Sequence, residues 1–492
     1  MRVAIIGAGI VGSSIARVLS RYRNLVVYLL ESEVDVGWGA SKANTGLIHP
    51  GYGEYPDEHP LRARLCAAGN RIWRRWAREL DVRLRWPGEL ALAFVRKDLD
   101  AIRRFITLGY RNRVPGLRLL DRDELESFEP NVSGEALGAL WAPSCGQSLP
   151  WEAVTALIEN ASANGVKLNL ETEVRDIKIE GWRVKGVETN RGFLSADIVI
   201  NASGINADTV SRMAGIDHFS IHPRKGEYIL FRGDSSPKVV RVLHRVPVHD
   251  TKGVYVTTTI EGNLMIGPNV QDLPGELKGD KATSIEGLDS IWMEAEKLVK
   301  RLPPRDEVLR VFAGLRAEPS WGDFIIEAYD EAWGFINVAG IRSPGLTSAP
   351  AIAYYVRDLI GDRLGIRLEM KDKGEWTPYR RGILRAADAS WRRLGRLIDG
   401  NPGYGKIICK CRMVSEAEVV EAVRRGARTL DGVKYRTGAM TGDCQGSFCR
   451  IRIGMILARE LGIPLWEVTL QGGGTEYGLG DVKVLQGRSG QP

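Results

Sequence analysis

The sequence predicts an α/β chain in three parts: a nucleotide-type α/β domain, an antiparallel sheet domain inserted into it, and a small, mainly helical C-terminal domain. Three observations predict this. The chain opens on a strand, a Gly-rich turn and a helix in "RVAIIGAGIVGSSIARVLSRY". Alternating apolar runs, "RKGEYILFRG", "KVVRVLHRVP", "GVYVTTTI" and "GNLMIGPNV", fall between residues 218 and 313. Four of the six cysteines sit in two short pieces near the end, "CKC" and "CQGSFC".

A chain of 492 residues is long for one hydrophobic core, so two or three domains are expected. The apolar fraction of 44% and charged fraction of 26% are those of an ordinary globular protein. No apolar run reaches the ~18 residues of a spanning helix. "MRVAIIGAGIVG" enters a strand directly and shows no small-residue cleavage site, so a signal peptide is not expected. The expectation is a cytoplasmic chain, compatible with peripheral association at the inner face of a membrane. The net charge of +7 suits an anionic substrate, an acidic partner or a mildly basic solvated surface. There is no basic tail and no nucleic-acid module, so nucleic acid is not an expected partner.

The opening motif has a physical reason at each position. After the apolar run Val3 to Ile6 come Gly7, Gly9 and Gly12 in G-x-G-x-x-G spacing. Gly7 permits the tight turn, Gly9 lets backbone approach a pyrophosphate, and Gly12 lets the helix pack close to the sheet. The helix start offers free N–H groups to phosphate. A second apolar run, "LVVYLLE", ends at Glu31, placed to accept hydrogen bonds from a ribose. Next comes a long polar loop, "VGWGASKANTGLIHPGYG", where a simple NAD domain would continue into a regular helix. Such a loop suits a backbone that must cross beneath a pyrophosphate toward a flavin.

On these residues the chain resembles the D-amino-acid-oxidase-like superfamily of FAD-dependent oxidoreductases. "SKANTGLIHPGY" is most similar to its glycerol-3-phosphate dehydrogenase and L-2-hydroxyglutarate oxidase branch. The resemblance implies a Rossmann-like, glutathione-reductase-like FAD-binding domain and covers roughly residues 1 to 360. It places Ser41, Asn44, Thr45 and Gly46 at the cofactor. "DIVINASGINADTV" resembles the second flavin-contact motif and adds Ala202 and Gly204. "FINVAGIRSPGLTSAPAI" adds Gly340, Gly345, Leu346 and Thr347, with a helix from about Thr347 aimed at the flavin O2/N1 edge.

Hydride transfer from a carbinol or amine carbon to flavin N5 requires a hold on the substrate anion and an acceptor for its proton. Arg316 in "AGLRAEP" matches the arginine that grips phosphate or carboxylate in this superfamily, a task suited to a planar, permanently charged fork. Arg342 and Lys225, with its neighbour Arg224, are further cations; the plain alternative is a surface salt bridge for Arg316 and a solvated strand end for Lys225. His49 is a candidate base or flavin-orienting group, and Tyr255 an additional site residue. Residues 54–150 read as mainly helical, with Trp73 and Trp76 as packing residues. Cys66 and Cys145 read as inert thiols.

After the Gly/Pro stretch "DGNPGYGK" come Cys409-x-Cys411 and Cys444-x4-Cys449. A capping box, Ser415 and Glu418, opens a helix after the first pair. Four thiolates suit zinc or a [2Fe-2S] cluster, and spacing alone leaves both open. The tail resembles the BFD-like [2Fe-2S] domain that ends the catalytic subunit of anaerobic glycerol-3-phosphate dehydrogenases. That resemblance implies a [2Fe-2S] cluster, with zinc as the alternative.

The expected division is 1–80 with 151–217 and 305–365 for the FAD-binding domain, and 81–150 with 218–304 for the substrate domain. A connecting segment, 366–405, a BFD-like domain, 406–470, and a tail, 471–492, follow. The expected activity is oxidation of sn-glycerol 3-phosphate to dihydroxyacetone phosphate, with electrons passed to a partner subunit or quinone-linked acceptor. The rivals on the same frame are L-2-hydroxyglutarate or another 2-hydroxyacid, an amino-acid or opine substrate, and a non-catalytic electron-transfer subunit.

Overall fold

The computed structural model describes residues 1–247, 253–478 and 480. Two compact units emerge: Met1–Ser32 with Val36–Arg380, and Glu33–Asp35 with the chain from Arg381. The division falls inside the expected connecting segment. Its first part belongs to the first unit, where Trp376 Nε1 donates to Ser20 Oγ at 3.0 Å and Arg380 N donates to Glu79 O at 2.9 Å. Of the expected tail, residues 479 and 481–492 lie outside the described residues.

The first unit is built on a six-stranded sheet. Its order is Ile325–Ala328, Phe335–Ala339, Ile198–Asn201, Arg2–Ile6, Val26–Leu30 and Lys167–Asn169. All neighbours are parallel except the first pair. Val3, Ala4 and Ile5 are fully buried, as expected of a parallel strand covered on both faces. The register sets Ile6 beside Asn201 and Asn201 beside Asn337. Three strand ends therefore lie side by side at the carboxyl edge, where open parallel sheets bind ligands.

A nine-stranded sheet forms the second layer of this unit. Its long pair is Ile221–Phe231 against Val308–Pro319, in register from Ile221↔Pro319 to Phe231↔Val308. Residues 308–319, expected in the nucleotide domain, thus belong to the large sheet. The expectation that 54–150 is mainly helical also needs correction. Helices Pro60–Glu79, Arg96–Arg111 and Arg122–Phe128 are present, but Glu89–Ala93, Arg118–Leu120 and Gly138–Ala142 join the large sheet. Glu89–Ala93 is buried at every position, so its sequence carries no two-residue alternation to mark it as a strand. It pairs in parallel with Val242–Arg245, which makes the sheet mixed rather than wholly antiparallel. The two segments are far apart in sequence, so no hairpin fixes their direction.

The second unit carries helices Trp391–Gly400, Glu416–Arg424, Leu430–Thr437 and Arg450–Leu461, and a two-stranded ladder, Ile407–Cys409 with Val414–Ser415. Val419, Val423, Val433, Ile453 and Leu457 form its core. The capping box is present: Ser415 Oγ accepts from Glu418 N at 3.4 Å, and Ser415 N donates to Glu418 Oε2 at 2.9 Å.

Helix Pro60–Glu79 packs against helix Gly345–Asp362 through Gly69, where a Cβ would lie 2.0 Å from Thr347 O. Gly69→Val is expected to force these helices apart at a cost of about 1–3 kcal/mol or more. A lower urea midpoint, with reduced FAD retention, checks this; an unchanged midpoint contradicts it.

Candidate active site and cysteine centre

The cofactor cradle is shaped by places where a side chain has no room. A Cβ on Gly7 would lie 2.5 Å from Ala202 O, and Gly7 also sits at φ +100°. A Cβ on Gly12 would lie 2.0 Å from Gly7 O. Strand, turn and helix therefore touch through bare backbone. Gly9 gives helix Ile10–Leu19 no side-chain cap. Ile10 N donates to Ser41 Oγ at 2.9 Å, while the N–H groups of Val11 and Gly12 have no partner among the described residues. Open N–H groups at a helix start fit a pyrophosphate. Glu31 closes the turn by accepting from Ala8 N at 2.8 Å through Oε2.

The crossing loop is pinned by its own side chains. Asn44 Nδ2 donates to Ala40 O and Ser41 O, and its Oδ1 accepts from Gly46 N at 2.8 Å. Thr45 lies half-buried between them. Ala202 N donates to Ile6 O at 2.9 Å, and Gly204 follows at the same edge. Gly340 sits against Pro319 in the turn before helix Gly345–Asp362. That helix begins two residues before its expected start. The N–H groups of Leu346 and Thr347 have no partner among the described residues, which fits an electron-rich ring edge. Thr347 Oγ1 accepts from His49 N at 2.8 Å and so ties the helix start to the loop. These residues fit FAD.

On the candidate substrate side His49 lies near Tyr255, and the charge of Arg316 reaches Tyr255. The rings of His49 and Tyr255 are 6.3 Å apart, and His49 Nε2 is 3.5 Å from Ser343 Oγ. Arg316 lies on the face of its strand that carries Gly314, where a Cβ would meet Ala43 O of the crossing loop at 2.0 Å. Alternate residues of a strand share a face, so Arg316 points toward the cofactor loop. Its contacts are to carbonyls, Lys225 O at 3.5 Å and Asn269 O at 3.3 Å, and it forms no ion pair among the described residues.

The other cations are placed differently. Arg342 Nη1 lies 2.5 Å from Glu318 Oε1, and Arg224 Nη1 lies 3.4 Å from Glu318 Oε2. Arg224 also pairs with Asp272. Lys225 is 4% exposed and turns to the opposite face, with Nζ 3.2 Å from Asp280 Oδ2 and 3.0 Å from Ala282 O. The structure does not bring Lys225 together with Arg316 and His49, because neighbouring strand residues point to opposite sides.

Sequence reasoning missed Glu89, His244 and Tyr52. Tyr52 and Glu89 line a small pocket with His49. Tyr52 Oη is 3.2 Å from His244 Nε2, and Glu89 Oε1 is 3.8 Å from the same nitrogen. The His244 ring lies 4.7 Å from the Tyr255 ring. Burial raises the Glu89 pKa, but hydrogen bonding and charge from His244, then the charge of His49, outweigh it and hold the carboxyl at about 2. Burial, followed by the nearby charge of Glu89, keeps Tyr52 and Tyr255 neutral well above their usual range. A lone acid in "PGELALAF" gives no local signal of this role.

In the second unit the cysteines meet as two pairs across the motifs. Cys411 Sγ and Cys444 Sγ are 3.4 Å apart. A hydrogen bond with Cys449 lowers Cys409 to about 6, aided by backbone N–H donors including Met440 and Arg412, and the same bond raises Cys449. Thiolates supported by backbone N–H groups suit cluster ligands. Among the described residues no three His, Cys, Asp or Glu side chains converge on one ion.

A two-cofactor redox protein is thus the class that fold and sites define. Residues 2–359 match the family described as FAD dependent oxidoreductase, and the chain belongs to that family. Residues 407–459 match the BFD-like [2Fe-2S] binding domain. Both cofactor expectations, FAD and the [2Fe-2S] cluster, accord with these matches. The chain is 42% identical over 468 residues to glycerol 3-phosphate dehydrogenase of Caloramator mitchellensis, covering 95% of each chain. It is 25% identical to the mitochondrial L-2-hydroxyglutarate dehydrogenase of Arabidopsis thaliana, covering 72% of this chain and 82% of that one. Among solved structures it resembles dithionite-reduced L-alpha-glycerophosphate oxidase of Mycoplasma pneumoniae with FAD bound. That likeness has a TM-score of 0.71 at 26% identity and covers 77% of this chain and 98% of the other.

Iron and sulfide analysis is expected to find about two equivalents of each per chain, as a [2Fe-2S] cluster requires. Cys444→Ser is expected to lower both by more than half while leaving FAD content unchanged. One equivalent of zinc, without iron, in the unsubstituted protein would contradict the cluster.

Proposed function

We propose that this chain oxidises sn-glycerol 3-phosphate to dihydroxyacetone phosphate. The observation that carries the reading is Arg316, a guanidinium without a carboxylate partner among the described residues, turned toward the cofactor loop and with its charge felt by Tyr255. The relative named as a glycerol 3-phosphate dehydrogenase, 42% identical over 95% of each chain, supports it.

FAD, when bound, supplies the acceptor for the hydride leaving C2 of the substrate. The chain's own residues do the rest. Arg316 holds the phosphate as a bidentate fork. His49 takes the proton of the C2 hydroxyl, and its backbone N–H bond to Thr347 fixes its place beside the helix start. Tyr255, neutral and buried, packs beside the base and limits water. Arg342 keeps Glu318 neutralised near the site, and Lys225 has a structural part through Asp280. Part of the reading is that electrons leave singly, to an electron-accepting protein or a quinone-linked acceptor, since the cysteine domain is suited to a one-electron carrier. Among the described residues no helix is long and apolar enough to cross a membrane. A cytoplasmic location, compatible with peripheral association at the inner face of a membrane, is part of the same reading.

Anaerobic flavin bleaching tests the substrate. Glycerol 3-phosphate is expected to bleach the flavin, while L-2-hydroxyglutarate and amino acids leave it oxidised. Reduction by 2-hydroxyglutarate alone overturns the reading in favour of the hydroxyacid rival, and bound FAD that no substrate bleaches favours a non-catalytic subunit. His49→Asn is expected to slow flavin reduction by about 10²–10⁴-fold, the usual worth of a general base. Arg316→Lys is expected to raise the Kd for glycerol 3-phosphate by about tenfold or more, as loss of charge-assisted hydrogen bonds implies.

A further inference from the structure

The four cysteines of the second unit are not equivalent. Cys409 and Cys449 are buried, whereas Cys411 is exposed and Cys444 half-buried, with the sulfurs of the latter two 3.4 Å apart. One side of the cysteine centre therefore faces the core and the other faces solvent. A Cβ on Gly442 would lie 2.4 Å from Cys411 Cβ, so the two cysteine loops press together on the open side. Phe448, whose backbone N–H donates to the Cys444 sulfur, is 81% exposed, and Ile451 and Met455 are 50% and 59% exposed. Arg450 N donates to Gly446 O at 2.9 Å and Ile453 N to Cys449 O at 3.0 Å, so the helical path begins before Arg450. Positions three and four apart on such a path share a face, which sets Phe448, Ile451 and Met455 in one stripe. The opposite face supplies Ile453, Ile456 and Leu457 to the core. Large apolar side chains left in a row at the surface mark a contact site.

Three cations border the stripe. Arg450 and Arg452 stand one residue to each side of Ile451, and Lys410 lies between Cys409 and Cys411. All three are exposed and form no ion pair among the described residues. Arg459, further along the same helix, pairs instead with Glu416 and Glu460. Residues 409–413 and 442–455 hold four cations, counting Arg412, against one acid, Asp443. We infer that the stripe of Phe448, Ile451 and Met455, rimmed by Lys410, Arg450 and Arg452, docks a small acidic one-electron carrier protein at the open side of the cysteine centre. This rests on the part of the reading above in which electrons leave singly to a protein. Aromatic, Met and Arg side chains are the types enriched where proteins meet. Cations without partners attract an acidic face and repel a basic one. A protein carrier suits the patch better than a lipid surface, because the stripe is narrow and starts inside a cysteine loop, where electron transfer needs close approach. Oxidation of a secondary alcohol to a ketone releases two electrons and two protons. Each docking removes one electron, so two oxidised carriers are reduced per substrate and both protons pass to solvent.

The test is binding of oxidised flavodoxin, an acidic one-electron carrier, to the full chain loaded with FAD and iron, read by isothermal titration calorimetry. Its Kd is expected to rise by about tenfold or more as salt is raised from low to physiological strength, because exposed charge pairs are screened. Cytochrome c, a basic carrier, is expected to bind at least about tenfold more weakly than flavodoxin. The double substitution Arg450→Glu with Arg452→Glu is expected to raise the flavodoxin Kd by about tenfold or more, and Phe448→Ser by about the same factor, with iron, sulfide and FAD contents unchanged. Lys97→Glu with Arg104→Glu, which changes net charge equally on helix Arg96–Arg111, is expected to leave the Kd within about threefold. A salt-independent Kd, or cytochrome c bound as tightly as flavodoxin, overturns the inference in the unsubstituted protein and so decides the case in which a variant loses its iron. An equal loss in both charge-reversed proteins, or none in either, overturns it too. So does binding to phosphatidylglycerol vesicles by a protein that ignores flavodoxin, which makes the patch a lipid surface. If glycerol 3-phosphate bleaches the flavin and flavodoxin fails to bind, the docking inference alone has failed. If flavodoxin binds at the patch and no substrate bleaches the flavin, the substrate reading has failed and the docking surface stands.

Discussion

The hydrogen bond from His49 N to Thr347 Oγ1, 2.8 Å long, joins residues 298 positions apart in the chain. Much of the candidate site depends on it. Thr347 lies in the first turn of helix Gly345–Asp362, and His49 lies in the loop that follows the second strand of the nucleotide sheet. Neither segment alone fixes where the imidazole sits. The helix start is held by Trp73 Nε1, which donates to Leu346 O at 2.9 Å, and by the close contact of Gly69 with Thr347 O. The loop is held by Asn44 and by the pairing of Leu47–Ile48 with Gly146–Gln147. The Thr347 bond locks these two pieces together and so holds the candidate base beside the helix start.

Charge is distributed around that space by pairing most groups and sparing one. Glu318 takes both Arg342 and Arg224, and Asp280 takes Lys225. Arg316 alone among these four cations makes only carbonyl contacts among the described residues. On the proposed reading, an anion would meet one unbalanced guanidinium rather than a diffuse positive wall. Glu89 and His244 are buried together, with Glu89 Oε1 3.8 Å from His244 Nε2.

The frame was legible because its signals are local. Gly7, Gly9, Gly12 and Glu31 lie within one strand–turn–helix–strand unit, and each answers to a contact that such a unit must make. The same holds for the cysteine motifs, whose spacing and following helices are short-range features. The strand Glu89–Ala93 was illegible for the opposite reason. Buried on both faces, it lacks alternation, and its partners arrive from residues 138–142 and 242–245. The boundary near residue 305 was misplaced because Val308–Pro319 is defined by its pairing with Ile221–Phe231, a long-range match with no sequence mark of its own.

The sequence by itself therefore determined the class of fold, the FAD frame and the four-cysteine tail, since each is encoded in contiguous residues whose spacing satisfies backbone geometry. Only the tertiary structure decided which side chains share the pocket. Arg316 and Lys225 both sit on paired strands, yet the register sends one to the cofactor side and the other to Asp280. Tyr52, Glu89, His244 and Tyr255 come from four separate segments, and two of these strands meet in a parallel pairing that no turn dictates. A composition or spacing rule reads along the chain, whereas a site of this kind is assembled across it by sheet register and burial.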